Sequence, residues 1–296
     1  MKIKRGRETV VFQIIAMVVL AVCALISVLP FLIIISGSLS NNELISREGY
    51  SILPKQLTPQ AYTTILRIPE SLLTAYRVTI VNTLVGSLTG LICMSMAGYV
   101  LSRKNFRHRN IISFLIYFTT IFGGGLVPWY IMISNTLHLK DSLLAICLPL
   151  IMSPFMIILM RTFISNNVPD SLVESCRIDG AGEFSIYLHI VLPLIPSGLA
   201  TIGLFLGLMY WNDWYMSSMF ISTPAKFELQ FYLYNMLSGF EAFKQMNTAS
   251  VTESVSIPSE TVKLAMAVFV TGPIILLYPF VQRFFISGIT IGAVKG

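Results

Sequence analysis

Pro169 to Pro193 reads PDSLVESCRIDGAGEFSIYLHIVLP, an amphipathic stretch set between long apolar runs. Pro169 is suited to opening a helix, because the N–H it lacks would be unpaired in the first turn anyway. On that helix Leu172, Val173 and Cys176 share one face, while Glu174, Arg177 and Asp179 point elsewhere. Gly180 suits the helix end, where glycine adopts a left-handed conformation at little cost. A second amphipathic turn is expected over Phe184, Tyr187, Leu188 and Val191, and Pro193 and Pro196 mark entry into the next apolar run. A helix–turn–helix lying along a membrane surface presents a rigid knob to a partner. From these residues alone, an ordinary interfacial helix with a solvated acidic face is an equal alternative.

The surrounding chain decides the setting. Of its 296 residues 55% are hydrophobic and 11% are charged, less than half the charge fraction of about 25% in soluble domains. The apolar residues fall in blocks that match the thickness of a bilayer core. An all-α, polytopic membrane protein is predicted, with six transmembrane helices over about 10–35, 72–101, 111–133, 142–163, 196–220 and 261–285. The first block is longer than the roughly 7 to 15 apolar residues of a signal peptide, so a retained helix is preferred to a cleaved leader. Cys23, Cys93, Cys147 and Cys176 are scattered without a CxxC pair and read as small core residues.

The net charge of +6 is explained by topology rather than by nucleic acid. Lys2, Lys4, Arg5 and Arg7 precede the first block, and Arg103, Lys104, Arg107 and Arg109 lie between the second and third. Arg161 and Arg177 lie around and within the 169–193 stretch and Arg283 and Lys295 at the C-terminal end, so twelve of the 20 Lys and Arg fall on or beside alternate connections. The positive-inside rule places these connections, and both termini, in the cytoplasm.

Within the blocks, small residues point to close helix packing: Gly86, Gly90 and Gly98 in the second, Gly198, Gly203 and Gly207 in the fifth. Asn82 is expected to bond across a helix interface more readily than to touch solute. Gly123-Gly124-Gly125 with Pro128 marks either the outer end of the third span or a broken helix. Asn135 to Asp141 reads as a short external turn, and Pro149 and Pro154 as bends in the fourth span. Thr58 and Pro59 predict the start of a short external helix over 59–66. A second external segment covers 221–260, ending in a loop over 248–258 and a Ser259 cap.

Glu174, two small residues (Ser175 and Cys176), three others, Gly180, nine others, Ile190, one other and Leu192-Pro193 make a spaced pattern that resembles the EAA loop of ABC-importer permeases. Serine and cysteine stand where that family has two alanines. Arg177-Ile178-Asp179-Gly180-Ala181 is similar to the form in the carbohydrate branch. Asn82-Thr83, Tyr99, Arg103, Gly125, Pro128 and the Asp141 region extend the likeness. The ending, with Gln282-Arg283-Phe284-Phe285, Gly288 and Gly292 to Gly296, resembles permeases related to the smaller one of the maltose transporter. The segment after the first span and Phe122 to Pro128 look closest to permeases for complex or plant-polysaccharide oligosaccharides.

The resemblance implies a type I ABC-importer permease fold with a cytoplasmic coupling helix, in a bacterial cytoplasmic membrane. It implies an N-terminal tail, first helix and external segment over 1–71, a permease core of five helices over 72–285 and a cytoplasmic tail over 286–296. The coupling loop would dock into the ATPase subunits through Leu172, Glu174, Ser175, Cys176, Asp179, Gly180, Ile190 and Pro193. The chain would form half of an oligosaccharide pore. Two ATPase subunits holding ATP and magnesium, a second homologous permease and an extracellular solute-binding protein would complete the assembly, with no cofactor in this chain. Candidate solute contacts are Asn82, Trp129, Tyr130, Trp211, Asn212 and Asp213, because aromatic faces stack on sugar rings and amides bond hydroxyls. Each also has a plain reading as a packing or interfacial residue.

Other functions find less support. No GxxxxGK[ST] loop is present, and the glycines at 123–125 lack its lysine. His108, His138 and His189 are isolated, without metal-ligand spacing. An ion-coupled secondary transporter is the main alternative, but Asp and Glu avoid the centres of the apolar blocks. A membrane-embedded enzyme needs convergent polar groups, and only Tyr210 to Trp214 comes close.

Overall fold

The computed structural model describes residues 7–66, 69–246 and 260–293. Lys2, Lys4, Arg5, the 248–258 loop, the Ser259 cap and Lys295 lie outside them. The described chain is helical between its turns, with one isolated bridge pairing Ser40 and Leu57. Its first helices are α1 (Arg7–Ser38), α2 (Asn42–Glu48), α3 (Gln60–Leu66), α4 (Pro69–Ser102), α5 (Arg109–Ile121) and α6 (Leu126–Ile131). Then come α7 (Leu143–Ile151), α8 (Pro154–Asn167), α9 (Asp170–Ile178), α10 (Glu183–Ile186) and α11 (Leu192–Leu194). The last are α12 (Pro196–Trp211), α13 (Tyr215–Phe220), α14 (Leu229–Met246) and α15 (Glu260–Ala293). Two compact units divide the chain, Met1–Pro69 with Met236–Pro273 and Glu70–Asn235 with Ile274–Gly296.

In the first unit, Val11–Ser38 has mean hydropathy 3.1 and its apolar window is wholly uncovered. A helix apolar on every side belongs in lipid or against other spans, since its backbone is satisfied internally and its side chains ask nothing of water. Near its end Gly37 lies against Leu264 of α15, so closely that an added Cβ would collide. The expected short helix starts at Gln60, one residue after Pro59, and the Thr58 Oγ1 accepts the Gln60 N–H at 3.3 Å. Tyr62 on it meets Phe269 at 5.7 Å and shares a 2.8 Å hydrogen bond with Ser38.

The second unit is organised on α4, whose stretch Glu70–Ser102 has mean hydropathy 1.7 and is partly covered by neighbours. Gly86, Gly90 and Gly98 fall at intervals of four or eight and form one strip. Tyr210 of α12 lies on Gly86, Leu206 and the Ile151 backbone lie on Gly90, and Met160 and the Arg161 amide lie on Gly98. Without hydrophobic expulsion from lipid, close backbone approach and its dispersion gain hold such helices together. The Tyr210 hydroxyl, fully buried, donates to the Cys147 carbonyl at 2.7 Å and ties α12 to α7. Arg161 on α8 donates to Ser113 on α5 at 3.1 Å.

Among the described residues, length and hydropathy give two unbroken spans, α1 and α4, and three bent pairs. The third apolar block is a broken helix: α5 and the segment Leu126–Thr136 meet at 113° across the glycines. Gly125 there has φ +86°, which a side chain would oppose. At 13 residues α5 is about 20 Å long, short of a bilayer core. The fourth block bends by 40° before Pro154, which opens α8, whereas Pro149 is carried inside α7. The fifth block differs from expectation. It is helical only over Pro196–Trp211, breaks at Asn212–Trp214 and resumes as the short α13. On its other side the chain turns by 86° at Ile195, between the Glu183–Leu194 arm and α12. α15 runs through the expected sixth span and is 34 residues long.

The expected external turn closes on Asp141. Its carboxylate accepts the Ser222 and Thr223 N–H groups at 3.0 Å, the Thr223 hydroxyl at 2.6 Å and the Lys226 ammonium at 3.0 Å. These donors hold its carboxyl far below the ordinary range.

The glycine strip is a direct test of the packing. Gly98→Val forces its side chain against Met160 and the Arg161 amide, 2.8 and 3.0 Å from the added Cβ. It is expected to cost about 1–3 kcal/mol, read as a lower melting temperature of the purified protein in detergent. Gly203→Ala, which meets only Leu91 Cδ2 at 3.5 Å, is expected to leave the melting temperature unchanged.

Candidate functional site

The 169–193 stretch folds as a helix, a glycine stop and a return arm. α9 ends in a double hydrogen bond: Ala181 N–H to Cys176 O at 2.9 Å and Gly180 N–H to Arg177 O at 3.0 Å. That pairing satisfies carbonyls the helix end would leave open and requires the left-handed residue, Gly180 at φ +83°. An added Cβ on Gly180 has nothing within 4 Å, so any cost of replacing it is in the backbone alone. The return arm widens into a π turn over Tyr187–Val191, a feature that re-aims side chains.

Only part of each predicted apolar face is packed. Val173, Ile186, Tyr187 and Val191 enter the main core with Met94, Met160 and Ile164, and Cys176 lies at its edge. Leu172, Phe184 and Leu188, expected on the inner faces, are exposed, and Ile178 is 86% exposed. The element therefore buries one narrow seam and offers an apolar outer surface.

Polar contacts fix this seam to the end of α4. Ser95 and Tyr187 share a 2.6 Å hydrogen bond. The Glu183 carboxylate accepts the Tyr99 hydroxyl at 2.7 Å and the Arg177 Nε at 2.6 Å. Asp170 pairs with Lys104 at 2.8 Å and with the buried Arg103 at 3.6 Å, and Arg103 also lies 5.2 Å over the Tyr99 ring. The hydrogen bond from Arg177 lowers the Glu183 carboxyl below its usual range, against desolvation. That from Lys104 does the same for Asp170. Both pairs are partly exposed, and such pairs are worth at most about 1 kcal/mol each. Their role is to set register, because the packed seam between them supplies the larger energy.

Glu174, Ser175 and Asp179 are exposed on α9 and its end, Ile190 is half-buried and Pro193 exposed on the return arm. Glu174 lines a cavity of about 160 Å³ with Arg103, Lys104, Asn105, Asp170, Val173 and Arg177. An acidic side chain at the mouth of a cationic recess, beside bare apolar groups, can receive a basic side chain of another protein without burying an unpaired charge.

Most of the predicted solute contacts are engaged by neighbouring groups of this chain. Asn82 is buried, and its Nδ2 donates to Glu228 Oε1 at 2.8 Å. Trp129 and Tyr130 pack on Phe220, edge-on at 5.1 Å and stacked at 5.5 Å. Trp211 is buried. Asn212 is exposed, and Asp213 accepts the Met216 N–H at 3.1 Å. Glu228 itself is not apparent from sequence, since it falls in a stretch that reads as an external loop. It is fully buried, accepts the Ser217 hydroxyl at 2.7 Å, and is followed by Leu229, whose N–H donates to Thr79 Oγ1. Burial raises its carboxyl to about 7, against the Ser217 and Asn82 hydrogen bonds, and nearby Asp213 adds to the rise.

Residues 86–291 match the family described as "Binding-protein-dependent transport system inner membrane component". The chain is 33% identical to Protein LplC of Bacillus subtilis (strain 168), over 99% of this chain and 97% of that one. It is 34% identical to the polygalacturonan/rhamnogalacturonan transport system permease protein YtcP of the same organism, over 92% and 94%. A chain in the crystal structure of a bacterial ABC transporter involved in the import of the acidic polysaccharide alginate superposes with a TM-score of 0.83. It is 30% identical, and the match covers 96% of this chain and all of that one.

Two outcomes are expected from the geometry. Gly180→Ala costs about 1–2 kcal/mol through its left-handed backbone, seen as faster protease cleavage at 178–182, and Gly180→Asn costs less. For Glu228, whose folded pKa is raised, the stabilising effect is full below the unfolded value of about 4.3 and is lost as pH rises through about 7. Melting temperature should therefore fall over that window, and Glu228→Gln should flatten the fall relative to the wild type.

Proposed function

The chain belongs to the family of binding-protein-dependent transport system inner membrane components, and from that premise we propose how its parts divide the work of transport. It is a membrane-embedded permease subunit of an ABC-type carbohydrate importer, is not itself an enzyme, and pairs with separate ATPase subunits. In the proposed assembly it forms half of a pore with a second homologous permease, above two ATPase subunits and below an extracellular solute-binding protein. Six spans, with the core over 72–285 and both termini in the bacterial cytoplasm, are the arrangement that the charge pattern supports.

The cargo is proposed to be an oligosaccharide. YtcP is named for polygalacturonan and rhamnogalacturonan, and the structural relative for alginate. Residues 169–193 are proposed as the point where ATPase movement enters the permease. The observation that carries this is their attachment: a packed seam and the Tyr99–Glu183–Arg177 and Asp170–Lys104 contacts join them to α4 and the turn that follows it. Leu172, Ile178 and Phe184 remain outside for a partner. A displacement of the exposed side is then passed to α4 and, past the 86° turn at Ile195, to α12. Glu174, Ser175, Cys176, Asp179, Gly180, Ile190 and Pro193 complete the proposed docking element, with Glu174 its charged contact. Of the candidate solute contacts, the exposed Asn212 is retained as a direct contact, while the remaining five, Asn82, Trp129, Tyr130, Trp211 and Asp213, are proposed to shape the path from behind.

Glu174→Ala tests this. Solute-stimulated ATP hydrolysis of the reconstituted complex is expected to fall about tenfold or more, as for loss of a buried charge contact, while the four subunits still copurify. Unchanged stimulated hydrolysis would sink the role given to Glu174.

A further inference from the structure

The break after α12 builds a surface that packing alone does not require. Residues 212–214 leave the helix, and the Trp214 ring comes to rest on Tyr234 of α14, centroids 4.6 Å apart at 24°. Tyr215 meets Trp214 edge-on at 5.9 Å. Phe227, Phe231 and Tyr234 follow one another at i, i+4 and i+7 into α14, with Phe227 and Phe231 4.7 Å apart and Phe231 and Tyr234 6.3 Å apart. Phe231 is buried and anchors the row, but Trp214, Tyr215 and Tyr234 keep 41%, 41% and 43% of their surface open. Beside them the Gln230 Nε2 donates to Asn212 Oδ1 at 3.3 Å. The Asn212 Nδ2 also donates to the Leu208 carbonyl at 2.9 Å; an amide carries two donor positions and an acceptor, so each of the two keeps an N–H to offer, and Gln230 its oxygen as well.

We propose that Trp214, Tyr215 and Tyr234, with the amides of Asn212 and Gln230, form a contact site for sugar rings of the cargo; this deepens the carbohydrate reading above and rests on it. The ring faces carry negative quadrupole and attract the C–H face of a pyranose. Neutral amides beside them suit hydroxyls, which alternate around the edge of the same ring. The row is preorganised: the rings are held by one another and by Phe231, so little side-chain freedom is lost when a sugar lies on them.

The test uses the complete complex in proteoliposomes with its binding protein, and a panel of neutral and uronic-acid trisaccharides. With the trisaccharide that the wild type imports best, Trp214→Ala and Tyr234→Ala are expected to cut maximal uptake about tenfold, the loss of a pair of ring contacts. Trp214→Phe, which keeps a ring, should retain most of it. The half-saturating concentration of loaded binding protein and the basal ATP hydrolysis should stay at wild-type values. A rise in that concentration with unchanged maximal uptake identifies a docking surface for the binding protein and overturns the proposal. So do uptake equal to wild type in both alanine variants, and loss of the second permease from the purified variant complex. A wild type that imports none of the panel overturns the oligosaccharide reading of the cargo, a result distinct from failure of the variants.

Discussion

Glu183 accepts one hydrogen bond from Tyr99 on α4 and one from Arg177 on α9. One carboxylate thereby joins the last turn of a spanning helix to both limbs of the 169–193 element. Neither bond is strong in isolation, because Arg177 and Glu183 are partly solvated. Their importance is geometric. Val173, Ile186, Tyr187 and Val191 bury a seam only a few side chains wide, and apolar packing is non-directional. Slippage of a narrow seam costs little unless directional contacts fix its register. Ser95–Tyr187 at one end and Asp170–Lys104 at the other complete that set.

The same logic fits the proposal that α4 receives the movement of this element. Its glycine strip lets α12, α7 and α8 approach its backbone, so that Tyr210, Leu206 and Met160 contact it directly. Close-packed interiors shift between discrete arrangements rather than deform smoothly. A push on the knob is therefore expected to move α4 and α12 as bodies. The abrupt 86° turn at Ile195 has the same effect on the other limb, because the arm and α12 are short, stiff and joined by a single residue.

Much of this is legible in the sequence, for identifiable reasons. The unbroken spans α1 and α4 are readable because length and hydropathy suffice for them. The α9 stop at Gly180 is readable because few residues but glycine adopt that backbone without strain. The break at Asn212–Trp214 is not, since Trp and Tyr raise apolar content whether or not the helix continues. The outward placement of Leu188 is hidden for a different reason: the π turn at Tyr187–Val191 shifts the helical period on which the facial assignment depends. Glu228 is hidden because burial of a loop carboxyl follows from tertiary contacts with Asn82 and Ser217, 146 and 11 residues away.

Glu228 also sharpens the argument about what kind of transporter this is. Acidic residues avoid the centres of the apolar blocks, which disfavours carboxylate-coupled transport. One buried carboxyl nevertheless reaches Asn82, inside α4, from the loop before α14. Its partners are two donors, Asn82 Nδ2 and the Ser217 hydroxyl, a set that satisfies a carboxylate already in place. A coupling carboxyl must instead meet its ion and release it during each cycle, which requires an open path on at least one side. Glu228 is fully buried and bonded on both oxygens. It therefore acts as a fastening between α4 and the 221–229 loop, which agrees with the proposal that the energy for movement enters elsewhere, at the 169–193 element beside Glu174.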